Sequence, residues 1–194
     1  MRRRNVLFLP IMLSIIGGCT EAPRGIKPIE NFNPVRYSGK WHEIMRLDHR
    51  FERGLTNVTA TYQLKADGKI AVLNRGFDPK KCEWREAKGS AKFQSHSKKA
   101  SLAVTFFWPF YGGYHVFYLD HIGYKYALVA GPNHDYMWIL AREPKLPERT
   151  KNRLLSVAKK HNFAVENLIL VSHGKPSCED KNKKPLIQGP PERL

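Results

Sequence analysis

The sequence predicts an all-β fold, an eight-stranded antiparallel up-and-down barrel with one helix near the C-terminus. Three observations predict it: many short runs alternate apolar and polar residues, the connections are short and contain Gly, Asp or Asn, and only one segment has helical spacing. A barrel of this kind removes edge strands and can enclose one small ligand.

The strands are predicted from alternation with a period of two. In 57–64, apolar Val58, Ala60, Tyr62 and Leu64 alternate with polar residues, as expected for a strand with two different faces. The sequence Ala-Asp-Gly at 66–68 is a hairpin signal. The eight predicted strands are 41–47, 57–64, 69–77, 87–95, 102–108, 114–120, 124–130 and 136–142, and a ninth is predicted at 168–172.

The single helix is predicted at 147–161. Leu154, Leu155 and Ala158 have helical spacing, Pro147 stands at the start, and lysines stand at the end. The barrel and this helix form one predicted domain, 35–173.

The N-terminal residues 1–18 are predicted to be a lipoprotein signal peptide. Three arginines precede an apolar run from Val6 to Ile16, which is shorter than the about twenty residues that a membrane-spanning helix needs. The run ends in Ile-Gly-Gly-Cys at 16–19. This ending resembles the lipobox of bacterial lipoproteins, which implies cleavage before Cys19 and acylation of its sulfur. The alternative is an ordinary signal peptide with an incidental cysteine.

The residue after the cysteine bears on localisation. In the lipoprotein sorting rule an aspartate there retains the protein in the inner membrane, whereas this chain has Thr20. The resemblance therefore implies a lipid-anchored protein of the outer membrane, facing the periplasm. Residues 19–34, with three prolines and a glycine, are predicted to be a lipidated tether. Residues 174–194 are predicted to be a basic, proline-rich tail without a core of its own.

The formal net charge of the chain is +16. Such a balance favours anionic partners. For an exported protein these are phospholipid head groups or lipopolysaccharide, and we expect no nucleic acid. The alternative is that the lysines only solvate the exterior.

Three short motifs resemble the signatures of the lipocalins. Gly39 and Trp41 open the first strand as Gly-x-Trp. Asp120 and Tyr124 resemble the second signature, although a leucine replaces the usual threonine and the spacing is looser. Arg142 resembles the third. The resemblance implies that Arg142 packs across Trp41 and closes one end of the barrel, so these are residues of the fold and not of a catalytic site.

Longer stretches narrow the resemblance. WHEIMRLDHRFERGLTNVTATY, FWPFYGGYHV and DYMWILAR resemble the bacterial lipocalins, outer-membrane lipoproteins related to apolipoprotein D, and the match covers roughly residues 25–173. Many bacterial members lack the pair Cys82 and Cys178, but other lipocalins often join the same two regions. The resemblance and the oxidising compartment imply a disulfide. The alternatives are two free thiols or a metal site, for which two cysteines are too few.

The resemblance implies a carrier that binds and stores or transports a long-chain lipid, a fatty acid or a lysophospholipid, during envelope maintenance or stress. If Trp41 and Arg142 face inward, strand parity turns further side chains toward the cavity, and two more flank the turn predicted at 109–113. The candidate ligand-binding residues are Met45, Leu47, Trp138, Leu140, Phe106 and Tyr114. Arg50 and Arg53 are candidates for contact with a charged head group.

Two other function classes stay open. A structural envelope protein could bind anionic lipid or lipopolysaccharide through its basic surface without an empty barrel. A lipid esterase could use the loop that holds His49, Arg50, Glu52 and Arg53. The sequence has no Gly-x-Ser-x-Gly elbow, Walker loop or His-Glu-x-x-His motif, so we expect no enzyme, no cofactor and no metal. The oligomeric state, monomer or homodimer, stays open.

Overall fold

Eight antiparallel strands close into a barrel in a computed structural model that describes residues 20–179. The strands are β1 (Gly39–Arg46), β2 (Thr56–Leu64), β3 (Ile70–Asp78), β4 (Glu83–Phe93), β5 (Ser101–Phe107), β6 (Phe110–Leu119), β7 (Tyr126–Ala130) and β8 (Met137–Ala141). Each pairs with the next along the chain, and β1 also pairs with β8, which closes the barrel. The predicted fold class is confirmed.

Four smaller elements flank the barrel. Helix α1 (Pro34–Tyr37) precedes β1, and α2 (Glu148–Lys160) follows β8. A 3-10 turn (Val165–Asn167) then leads to the short strand β9 (Ile169–Leu170), which pairs with the last residues of β1. The long helix lies within one residue of its predicted bounds at each end.

β2, β3, β5 and β8 begin within one residue of their predicted starts and β1 begins two residues early, at Gly39. The starts of the other three strands differ for physical reasons. β4 begins four residues before its predicted start. The prediction missed this part because the first six residues of the strand are exposed and show no alternation. β6 begins at Phe110 and runs through Gly112 and Gly113, which pair with β5 although glycine is unfavourable in strands. β7 begins late because Tyr124 has a φ of 52°, in the left-handed region.

Two apolar clusters lie on opposite faces of the barrel wall. In β8, Trp138 and Leu140 point to the cluster inside the barrel, whereas Met137, Ile139 and Ala141 point to the cluster outside. Helix α2 covers this outer cluster with its buried residues Leu154 and Ala158. Alternate residues of the period-two pattern thus form two apolar clusters, one inside the barrel and one between the barrel wall and α2.

The described part of the predicted tether packs against the barrel. Ile26 and Phe32 are buried, and Ile29 donates its backbone N–H to Val116 O at 2.9 Å and accepts from Ala100 N at 3.0 Å. These bonds join it to β6 and to the residue before β5. Residues 20–33 are therefore a strap on the barrel wall, and we call them the N-terminal strap.

Cys82 and Cys178 form a disulfide, with their Cα atoms 4.9 Å apart. It ties the start of the C-terminal tail to the loop between β3 and β4, where Glu179 N also donates to Pro79 O at 2.8 Å. The predicted signal peptide, Cys19 and the tail beyond 179 lie outside the described residues. Between 20 and 179, no helix combines the length and apolar character needed to cross a membrane.

Candidate functional site

One end of the barrel is closed by Arg142. Its guanidinium carbon lies 3.9 Å from the centroid of the Trp41 ring. The same group donates to five backbone carbonyls, three in and after α1 and one each in Lys40 and Tyr124, at 2.8 to 3.2 Å. The Trp41 indole N–H donates to Tyr37 O at 2.8 Å. The contact that the resemblance implied between Trp41 and Arg142 is therefore present in the structure.

The other three signature residues, Gly39, Asp120 and Tyr124, belong to the same closed end. Tyr124 is buried in the interior cluster, and its backbone N–H donates to Asp120 O at 2.7 Å. Arg36 lies over its ring, 4.2 Å from the centroid. Gly39 has a φ of 97°, and a Cβ there would lie 3.3 Å from Nη1 of Arg142, so the first residue of β1 needs to be glycine.

The barrel interior is lined by apolar and aromatic side chains but holds little empty space. A cavity of about 10 Å³ lies toward the closed end. Its lining residues are Phe32, Tyr37, Tyr62, Ile70, Ala91, Leu102, Val104 and Tyr114. One water molecule needs about 10–15 Å³ measured in this way, so no acyl chain fits while these side chains keep their positions.

Three tyrosine hydroxyls meet in this apolar lining. The hydroxyls of Tyr37 and Tyr114 lie 2.7 Å apart, and the ring of Tyr62 packs edge-on against that of Tyr114, with 5.8 Å between the centroids. Burial is the largest cause that raises the pKa of all three hydroxyls above the ordinary value of tyrosine. They stay protonated at neutral pH, and those of Tyr37 and Tyr114 bond each other, so that the surface of the cavity itself is apolar.

A β-bulge decides which way the end of β1 faces. The pairing with β8 shifts by one residue between Glu43 and Met45. Glu43 lies opposite Leu140 and faces inward, whereas Met45 lies opposite Ile139 and packs in the outer cluster with Leu47. The prediction that Met45 and Leu47 face the cavity is therefore wrong, because strand parity was carried through a residue that breaks it.

Trp138 and Leu140 do lie in the interior, since no irregularity interrupts β8 between them. Tyr114 lines the cavity. Phe106 lies farther toward the open end, where it covers Gly89: a Cβ on Gly89 would come within 2.8 Å of its ring. These four predicted residues therefore share the inside of the barrel.

A buried polar cluster, which the sequence did not predict, fills the open half of the barrel. Arg46 donates to Glu43 Oε1 at 2.7 Å and to Glu52 O at 2.6 Å. Glu52 accepts from Trp138 Nε1 at 3.2 Å, and its Oε2 lies 3.0 Å from Nε2 of His49. We call Glu43, Arg46, His49, Glu52 and Trp138 the mouth cluster, because it ties the loop between β1 and β2 to the wall.

The two carboxyls of the mouth cluster differ in their pKa. Burial, and next the charge of Glu52, raise the pKa of Glu43 well above its ordinary value, although Arg46 opposes this. Burial alone would raise the pKa of Glu52 as well. The contacts of its carboxylate with His49, and then those with Glu43 and Trp138, outweigh burial and lower the pKa below its ordinary value. Glu43 therefore carries the proton while it accepts from Arg46, and Glu52 carries the charge, which faces His49.

The sequence matches a family model described as a lipocalin-like domain over residues 33–173. The chain belongs to the lipocalin family. The outer membrane lipoprotein Blc of Vibrio cholerae is 44% identical to this lipocalin over 167 residues, which cover 86% of this chain and 98% of the relative. Apolipoprotein D of Macaca fascicularis is 34% identical over 159 residues, 79% of this chain and 81% of the relative.

Solved structures agree on the fold. Insecticyanin of the tobacco hornworm superposes on this lipocalin with a TM-score of 0.66 at 19% identity, over 82% of this chain and 90% of that one. The resemblance to bacterial lipoprotein lipocalins and apolipoprotein D is confirmed by the relatives. So is the localisation, lipid-anchored at the outer membrane. Cys19 as the attachment residue stays a prediction.

Two arginines of this lipocalin that were candidates for a head group lie at the surface of the mouth. Arg53 pairs with Asp48 at 2.7 Å, and both side chains are exposed. Arg50 lies over the ring of Phe51, 5.0 Å from the centroid. Neither reaches the interior, whereas Arg46 is buried there. Arg46 faces inward because of the bulge in β1, and a period-two pattern in the sequence does not reveal a bulge.

The alternative of an esterase finds little support in the site. His49 and Glu52 form a histidine–carboxylate pair, but among the described residues no serine or cysteine hydrogen-bonds His49. Ser101 Oγ lies 3.0 Å from Nδ1 of His115, and both side chains are buried beneath the N-terminal strap. A nucleophile must reach its substrate, so this second pair has a structural role.

Proposed function

We propose that this lipocalin is a non-catalytic carrier that binds a fatty acid or lysophospholipid and stores or transports it at the outer membrane, facing the periplasm. The observation that carries the proposal is the group of three tyrosine hydroxyls inside an apolar barrel. A core that serves stability alone has no need of hydroxyls, since burying one without a partner costs about 1–3 kcal/mol. Hydroxyls that bond mainly one another suit the polar end of a bound lipid.

The proposal requires the interior to open. Ligand pockets have volumes of about 300–1,000 Å³, far above the cavity of about 10 Å³ seen here. Several interior side chains are only partly buried, among them Phe93, Val104 and Tyr114. Rotation of such side chains toward the open end would make room without breaking a strand pair.

The energies allow such a rearrangement. Burial of about fifteen methylenes at about 0.8 kcal/mol each gives about 12 kcal/mol. Association and side-chain ordering oppose this by several kcal/mol. The remainder corresponds to dissociation constants from micromolar to nanomolar.

The test is a titration of delipidated soluble protein, residues 20–194, with a long-chain fatty acid while tryptophan fluorescence is followed. We expect a saturable change in the parent. Tyr114→Phe removes the central hydroxyl and should weaken binding about tenfold, the equivalent of one hydrogen bond. Tyr126→Phe is the matched control, because Tyr126 packs in the outer cluster.

Two results would reject the carrier. Turnover of a lipid ester would show an enzyme. No saturable change, together with no lipid recovered by mass spectrometry from protein purified from cells, would favour a structural envelope role. The filled interior and the net charge of +16 are the observations in favour of that second candidate.

A further inference from the structure

The hairpin between β5 and β6 carries apolar side chains into solvent at the open end of the barrel. Phe107, Trp108 and Phe110 are 75%, 76% and 71% exposed, and the rings of Phe107 and Phe110 stack 6.4 Å apart. We call these three residues the aromatic tip. With about 150–250 Å² per aromatic side chain, they expose on the order of 400 Å². An apolar patch of this size on a soluble surface marks an interaction site.

The N-terminal strap ends on the same hairpin. Thr20 O accepts a hydrogen bond from Gln94 Nε2 at 2.5 Å, and it would lie 2.9 Å from a Cβ on Gly113. Gly113 is three residues from Phe110 along β6, a distance of about 10 Å. From Ile29 beside Val116, the strap reaches Thr20 beside Gly113, three residues nearer the tip of the hairpin along β6, and Thr20 also contacts Gln94, which directly follows β4.

This course fixes where the predicted anchor begins. Cys19 precedes Thr20 by one peptide unit, which spans about 3.8 Å. The point where acyl chains would leave the protein therefore lies on the same β5–β6 wall of the barrel as the aromatic tip, whatever the conformation of Cys19.

We propose that the aromatic tip inserts into the surface of the phospholipid bilayer beside the lipid anchor, so that the open end of the barrel faces the membrane. Aromatic side chains, and tryptophan above all, favour the interface between head groups and acyl chains. The anchor and the tip then form two contacts on one side of the molecule. Two contacts also restrict the orientation of the barrel, which one flexible anchor would not.

The open end is the membrane-facing end in this proposal because of its exposed apolar residues and not because of its charge. The loop 47–55 holds two arginines and two acidic residues, and loop 79–82 adds two lysines near Glu83. Within residues 20–179, the opposite end shows single exposed apolar residues, Ile122 and Val35, and no aromatic cluster. A second copy of the chain is the competing occupant, but an anchor on the same wall as the tip places lipid there first.

The experiment uses full-length lipidated protein reconstituted into vesicles of phosphatidylethanolamine and phosphatidylglycerol, with or without lipids brominated on the acyl chains. Bromine quenches tryptophan fluorescence only at short range. Trp108→Phe keeps an aromatic tip but removes its reporter, so most of the quenching should be lost. Trp84→Phe removes the exposed tryptophan of the neighbouring hairpin at the same end, and it should keep most of the quenching, because the Trp84 ring packs against Phe77 and Arg75 and is only 41% exposed.

A second pair of variants tests the strap. A Cβ at Gly113 would clash with Thr20 and with Nε2 of His115, at 2.6 Å, whereas a Cβ at Gly112 meets nothing within 4 Å. Gly113→Ala should therefore lower the quenching of Trp108 while the anchor keeps the protein on the vesicles. Gly112→Ala should behave like the parent.

Equal quenching with and without Trp108 would overturn the proposal. If, in addition, Phe107→Ser converted a dimer into a monomer in detergent, the occupant of the aromatic tip would be a second copy. Full quenching in Gly113→Ala would overturn the role of the strap. Fatty-acid binding in the barrel is measured separately by titration, so failure of either proposal leaves the other standing.

Discussion

Arg142→Ala is expected to lower the free energy of unfolding by about 3–5 kcal/mol. Three of the hydrogen bonds from the guanidinium, to the carbonyls of Arg36, Ser38 and Lys40, are 2.8 to 3.0 Å long. The site is partly exposed, so water can replace the donor, and we count about 1 kcal/mol for each. The stack on Trp41 at 3.9 Å adds about 0.5–2 kcal/mol.

The assay is urea unfolding followed by tryptophan fluorescence. Arg142→Lys should lose about half as much free energy, because an ammonium cannot bind several carbonyls in a fork while stacking on an indole. Arg153→Ala is the matched control: its guanidinium lies 5.4 Å from the centroid of the Tyr126 ring on the surface, and we expect a change within about 0.5 kcal/mol. If Arg142→Ala unfolds at the same urea concentration as that control, the role assigned to the closed end is refuted.

Three further predictions concern other parts of the chain. Cys19→Ala should release the protein from membranes in cell fractionation, and an unchanged membrane fraction would exclude acylation there. Non-reducing peptide mapping should find Cys82 linked to Cys178, and Cys82→Ser should cost about 2–5 kcal/mol in an unfolding titration; two alkylatable thiols in the exported protein would contradict this. In the mouth cluster, Glu52→Gln should destabilise at pH 7 by about 1–3 kcal/mol, since it removes the charge that faces His49 at 3.0 Å and weakens the bond from Trp138, whereas Glu43→Gln should be nearly neutral because its amide oxygen can still accept from Arg46. Because the folded-state pKa of Glu43 is raised, the unfolded chain releases this proton first, so the parent should lose stability relative to Glu43→Gln as the pH rises above about 4.3; parallel stability–pH curves for the two proteins would disprove the assignment of the proton.

Much of the fold could be predicted because most strands alternate cleanly. The alternation in β2 and β8 places each side chain on the correct face. The N-terminal strap was missed for a physical reason. Its prolines and glycine are typical of a tether, and its buried residues Ile26 and Phe32 are too far apart to show a period. Only the partner surface on β5 and β6 makes the segment part of the domain.

The site was harder to predict because one bulge changes its chemistry. After the bulge, Ile44 and Met45 both pack in the outer cluster, so the next residue, Arg46, must face inward. A guanidinium that is 1% exposed needs acceptors close by, and Glu43 Oε1 supplies one at 2.7 Å. The loop folds back so that the backbone carbonyl of Glu52 supplies another, and the Glu52 carboxylate accepts from Trp138 and faces His49. A single shift in strand register thus accounts both for the two wrong cavity residues and for the polar cluster that a lipid would meet on its way into the barrel.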